Sequence, residues 1–241
     1  MCRQLQKDSS PAKAKVLRSF FKTGPEEYGE GDVFIGVTVP QVRKLAARYR
    51  DAGFPELKSL LQSKVHEQRL LAVIILVMQF RKADVKNKKQ IFDFYIKHRK
   101  HVNNWDLVDQ SAYHIVGAHL KDRDRSLLVR FANSENLWER RMAVVSTFHY
   151  IGEGESENTF KIAKLLLNDK HDLIHKAVGW MLREVGKHCS ERTLDLFLKK
   201  HASRMPRTTL RYAIERFPET KRKRYLAMKK KFGETFLSTN F

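Results

Sequence analysis

Cysteine is almost missing. Cys2 and Cys189 are the two in the chain, too few for a disulfide framework, and Met1 leads into a polar stretch rather than the apolar core of a signal peptide. Both observations point to a reducing, cytoplasmic compartment. Glycine and proline are scarce too, 11 and 6 in 241 residues. That excludes an all-β chain, which needs a turn about every ten residues, and equally a collagen-like or linker-rich one. Long apolar runs are lacking: the longest, Leu70 to Met78, is closed by Arg69 and Arg81 and falls far short of the roughly 20 residues that span a bilayer. No membrane segment is expected. Acidic residues are in deficit, 27 against 47 Lys plus Arg, which leaves a formal net charge of +20 and a pI near 10.0. Positive charge in excess along the whole chain implies a polyanionic partner, with nucleic acid favoured over a lipid surface.

Apolar residues, by contrast, make up 42% of the chain, enough to bury a core and to exclude disorder as the dominant state. They recur at three- and four-residue spacing, as in Val42, Leu45, Ala46, Tyr49 and in Leu194, Phe197, Leu198, which is the period of amphipathic helices. Breaks fall at residues 23–32, 53–55, 81–84, 100–104, 133–136, 152–156, 168–171, 205–206 and 217–220, marking roughly a dozen helices joined by short loops. Helices over 65–80, 137–148 and 173–185 look alike: each opens polar or charged, reaches a small Ala and continues apolar. The alanines that fit this role, Ala72, Ala112, Ala143, Ala177 and Ala213, are 40, 31, 34 and 36 residues apart. Irregular spacing of this size suits stacked helix pairs, each burying its apolar face only against its neighbours. The pattern predicts an all-α fold, an α-solenoid of about six pairs. No Pro-, Gly- or Ser-rich linker divides it, so one domain is expected over 10–232, with a flexible N-terminus over 1–9 and a tail over 233–241.

The most informative stretch is Asn103-Asn104-Trp105-Asp106-Leu107-Val108-Asp109. Asn104 suits an N-cap and Asp106 a first-turn anion facing the helix dipole. Trp105 and Asp109 stand at i and i+4, which puts an apolar ring beside an acceptor-only carboxylate on one helix face. The other tryptophans, Trp138 and Trp180, also fall in the repeated helices, Trp138 beside Arg140 and Arg141. Core packing accounts for each ring; interleaved Trp and Arg on a basic surface would equally serve a site that reads a nucleic-acid backbone.

The strings VFIGVTVPQVRKLA, NWDLVD, LWERRMAV and HKAVGWMLRE, in this order, resemble the DNA alkylation-repair glycosylases of the AlkD type, which are built from HEAT-like helical repeats. The resemblance runs in distinct motifs from about Val33 to Lys187. It implies that Trp105 and Trp180 flank the deoxyribose of the damaged nucleotide, that Asp109 is the catalytic carboxylate, and that Arg141 contacts the DNA backbone. Arg140, Arg183 and Trp138 join the expected DNA-binding set. The resemblance departs at two places: family members carry a further aromatic where this chain has Asn104, and aromatics near Asp172 and Leu173.

The expected activity is monofunctional hydrolysis of the N-glycosidic bond of alkylated purines such as 3-methyladenine and 7-methylguanine in duplex DNA, by a monomer without cofactor or metal. Departure of the base leaves positive charge on the sugar, which a carboxylate and two indole π faces would stabilise. A second class fits the same sequence, a non-catalytic HEAT-like scaffold that binds nucleic acid or an acidic protein; the retained Trp105, Asp109, Arg141 and Trp180 separate the two. His171 and His175 at i and i+4 could form half a metal site, but no third ligand completes it at a suitable spacing. The run Lys221-Arg222-Lys223-Arg224 and Lys229 to Lys231 are read as a solvated helix face, with phosphate contact second.

Overall fold

The computed structural model describes residues 1–228. The backbone gathers into two compact units, Met1–Arg125 and Ser126 onward. Both are helical; apart from one isolated parallel bridge between Val33 and Val65, no strand occurs among the described residues.

The first unit comprises α1 (Cys2–Lys7), α2 (Pro11–Phe20), α3 (Val39–Arg48), α4 (Phe54–Leu61), α5 (His66–Lys82), α6 (Val85–His98) and α7 (Trp105–Ala112). Its hub is α5, which packs against α3, α4, α6 and α7. Leu71, Ala72, Val73, Ile75 and Leu76 of α5 have no exposed surface, because a helix apolar on every side must be covered on every side. Each such Leu or Ile contributes roughly 1.5–3 kcal/mol. The charged residues that open α5, His66, Glu67 and Arg69, are buried as well, and buried charge requires partners. The chain between α2 and α3 provides some of them: the Glu67 carboxylate accepts the N–H groups of Ile35, Gly36 and Val37 at 3.1, 2.8 and 3.3 Å. Gly36 has φ +84°, and a Cβ there would lie 2.1 Å from the Ser10 carbonyl oxygen, so only glycine lets this loop pass beneath the start of α2. Residues 1–9, expected as a flexible N-terminus, contain α1, whose Leu5 is fully buried where α1 meets α5. Beyond α7 the chain winds through a π-helical turn, Tyr113–Gly117.

The second unit comprises α8 (Ser126–Ala132), α9 (Leu137–Ser146), α10 (Phe148–Ile151), α11 (Glu157–Leu166), α12 (Asp172–His188), α13 (Glu191–His201), α14 (Arg207–Ala213) and α15 (Glu219–Ala227). Here α12 is the hub, touching α9, α10, α11, α13 and α14. Its approach to α14 is made possible by Gly179, where an added Cβ would lie 2.5 Å from Cβ of Tyr212 and 2.7 Å from the Thr209 carbonyl oxygen. Within each unit successive helices bury their apolar faces on their neighbours, as an α-solenoid requires. The five repeat alanines are all buried, none more than 1% exposed. Lys221 does not stand free on a solvated face: its ammonium lies 2.9 Å from both Glu191 and Asp195 and 4.1 Å from the Phe217 ring centroid. Lys229 to Lys231 and the tail expected over 233–241 lie outside the described residues.

Candidate active site

Helix α7 begins at Trp105 because Asn104 caps it. The Asn104 side-chain oxygen accepts the Trp105 N–H at 2.8 Å, and its amide donates to Asp32 at 3.2 Å. Both roles expected for this turn hold, the N-cap and the first-turn anion Asp106. Trp105 and Asp109 lie one turn apart, and both are half-buried. Phe21 stacks on the indole of Trp105 with centroids 5.0 Å apart and planes at 13°, and Phe20 meets it edge-on at 5.7 Å. Contacts on a face and an edge hold the ring plane in one orientation.

A buried ionic network beneath α7 anchors its first turn. His66 Nε2 is 2.8 Å from Asp106 and Nδ1 is 3.2 Å from Asp32. Arg69 donates to the other Asp32 oxygen at 2.6 Å and to the carbonyls of Ser63 and Lys64 at 2.8 and 3.2 Å. Burial opposes charge on the imidazole, but the carboxylates of Asp106 and Asp32 outweigh it and lift His66 to about 9. Burial likewise works against the Asp32 carboxylate, and His66, Arg69 and Asn104 hold it below its ordinary value. Two carboxylates thus share one imidazolium and one guanidinium, and Phe34 stacks on the His66 ring at 4.5 Å. The network joins α5, the loop at residue 32 and α7, so Trp105 and Asp109 project from a helix whose first turn cannot shift without separating buried charges.

Sequence reasoning missed His66, Asp32 and Arg69. The signal for them was the start of α5: a helix too apolar to have a wet face carries His, Glu and Arg in its first turn, and these had to be paired. Tyr113, a turn beyond Asp109, was missed too. Burial pushes its hydroxyl upward, as does Asp109, while Arg81 and Arg43 pull it down.

The remaining expected residues belong to the second unit. Asn136 caps α9 by accepting the N–H groups of Trp138 and Glu139 at 2.8 and 3.2 Å, which places Trp138 in the first turn, half-buried. Arg140 pairs with Asp169 at 2.6 Å and donates to the carbonyls of Ser134 and Glu135 at 3.0 and 2.8 Å. Arg141, only 5% exposed, donates to the Leu173 carbonyl at 2.6 Å. Trp180 follows Gly179 on α12, half-buried, with the Phe148 ring 5.9 Å away. Arg183 is held by Glu184 at 3.1 Å and Glu215 at 2.5 Å. Its guanidinium is therefore committed to two carboxylates of the protein, Glu184 buried and Glu215 exposed. His171 caps α12 through the Leu173 N–H at 3.1 Å, and His175 bonds the Asp169 carbonyl at 2.6 Å. No cluster of metal-binding side chains occurs among the described residues, and none of the described helices is long and apolar enough to cross a membrane.

A family model described as DNA alkylation repair enzyme matches residues 1–217. The chain belongs to that family. Membership makes it an enzyme of DNA alkylation repair, with DNA as its partner. Among solved structures it is similar to a predicted DNA alkylation repair enzyme from Enterococcus faecalis, with a TM-score of 0.70 and 16% identity over 88% of this chain and 98% of that chain. At such identity the likeness speaks for the fold alone. No curated protein sequence matches. In this member of the DNA alkylation repair family Asn104, Asp172 and Leu173 have structural tasks. Asn104 is buried in the α7 anchor, Asp172 pairs with Lys176 at 2.7 Å, and Leu173 offers its carbonyl to Arg141.

Proposed function

We propose that the chain is a monofunctional DNA glycosylase that hydrolyses the N-glycosidic bond of cationic alkylated purines, 3-methyladenine and 7-methylguanine, in duplex DNA. The observation that carries this reading is the anchoring of α7. A half-buried carboxylate stands one turn from a half-buried, stacked indole, on a helix pinned by a closed set of buried charges. Such rigidity is what a group needs to stabilise charge that appears only in the transition state. As the C1′–N bond breaks, its electrons neutralise the purinium, which departs as a neutral base, and positive charge develops on the sugar. On this reading Asp109 and the ring of Trp105 meet that charge, Trp180 of the second unit is the further ring that the resemblance implies, and water then bonds to C1′ and loses its proton. Arg141 and Trp138 align the DNA backbone. Arg140 and Arg183 would have to exchange a carboxylate for a phosphate to join them. A monomeric cytoplasmic protein with one repeat domain over 10–232 completes the reading.

Asp109→Asn keeps the shape and removes the charge. Base release from a methylated duplex should slow by roughly 10²–10³ or more, while DNA binding and thermal stability persist. Excision at the wild-type rate would make Asp109 structural and favour the scaffold reading.

A further inference from the structure

A carboxylate set against a polyanion has an electrostatic problem. At about 4 Å, repulsion between Asp109 and a phosphodiester costs on the order of 1 kcal/mol in water and about 4 at the effective dielectric of a protein surface. Cations near α7 that no carboxylate neutralises would favour the approach of the DNA backbone. The arginines expected to bind DNA do not fill this role well, since Arg140 and Arg183 are paired with carboxylates and Arg141 is buried. Two others fill it. Arg43 on α3 is exposed and donates to the Gln110 side-chain oxygen at 2.7 Å. Arg81 on α5 is exposed and lies 2.6 Å from Nε2 of His114.

Each guanidinium is oriented by a group that carries no negative charge, an amide in one case and an imidazole in the other. Neither makes an ion pair among the described residues, so its charge stays available to a ligand. Their partners are the residue after Asp109 and the second residue of the π-helical turn. Both cations also act on Tyr113, which Asp109 influences in the opposite direction. We propose that Arg43 and Arg81 form a phosphate-binding pair that seats one stretch of DNA backbone beside Asp109. The inference rests on the reading of Asp109 as the reactive carboxylate and adds to it the two cations that let a polyanion approach. Arg43 is carried by α3 and Arg81 by α5, so each presents its own cation to the DNA backbone.

The test is the salt dependence of binding to an undamaged duplex of defined length, alongside base release from the same duplex carrying 7-methylguanine. The R43Q/R81Q variant should flatten the slope of log binding constant against log salt by about two, one for each phosphate that is no longer neutralised. R43K/R81K, which keeps both charges, should retain most of the wild-type slope. K86Q/K97Q, which removes two exposed cations of α6, should leave it unchanged. Base release by R43Q/R81Q should fall at low DNA concentration and recover largely at saturation. A wild-type slope in R43Q/R81Q, or equal flattening in K86Q/K97Q, overturns the proposal. The two readings can fail separately: an Asp109→Asn enzyme that still excises sinks the carboxylate assignment and leaves the slope result standing, whereas an unchanged slope with an inactive Asp109→Asn enzyme sinks only the phosphate pair.

Discussion

The imidazole of His66 sits between Asp32 and Asp106 with almost no contact with water, and the sign of its effect on stability follows from that. Its folded value of about 9 exceeds the ordinary 6.5. The stability it adds is therefore complete below about pH 6.5, declines above it, and is gone once the pH has risen through 9. Asp32 is displaced the other way, so its contribution is present above its ordinary 3.8 and is lost as the pH falls through its lowered value. Urea unfolding at pH 6 and at pH 9 should show wild type well ahead of His66→Gln at the lower pH, with the gap narrowing by up to about 3 kcal/mol at the higher one. A gap that is constant with pH would mean that His66 is neutral in the folded protein. Little of this was legible beforehand. Asp32 lies 34 residues from His66 and Asp106 lies 40 away, and spacing along the chain carries no information about contacts that only the packed helices create. The ion pairs of Arg140 and Arg183 were hidden for the same reason. Sequence marks an arginine as a cation; its partner is chosen by the neighbouring helix.

Elements were far easier to read than partners. The expected segment 173–185 appears as α12, Asp172–His188, and the segment 137–148 as α9, Leu137–Ser146. Caps and apolar period are local properties, and here nothing in the tertiary structure overrode them. The small residues show where local reading passes into packing. Ala177 and Gly179 look alike as small residues of one helix, and at Gly179 another helix is pressed against the Cα. Gly179→Ala should therefore cost about 1–3 kcal/mol despite its better helix propensity, because Tyr212 and the Thr209 backbone must move away. Chemical denaturation measures it directly; a variant as stable as wild type would show that α12 and α14 can separate at no cost. A shift of α12 would also move Trp180, so if that ring serves the site as proposed, the same variant should lose activity in excess of its loss of stability.

Across the whole molecule the net charge of +20 bears on affinity rather than chemistry. A protein that contacts six to ten phosphates loses roughly 10³–10⁵ in affinity between 50 and 200 mM salt, and nearly sequence-independent binding is expected to go with it. On the proposed glycosylase reading, specificity for damage then arises in the bond-breaking step. In the proposed mechanism Asp109 acts without a second carboxylic acid to protonate a leaving base, and neutral bases usually need such a donor. Purines alkylated at N7 or N3 are already cationic and depart without one. The most direct measurement is single-turnover base release from matched duplexes carrying 7-methylguanine or uracil, with the wild-type and Asp109→Asn proteins side by side. The account predicts release of 7-methylguanine by wild type, release slowed by orders of magnitude in Asp109→Asn, and no release of uracil by either. Efficient uracil excision, or no release of 7-methylguanine by the wild-type protein, would contradict it.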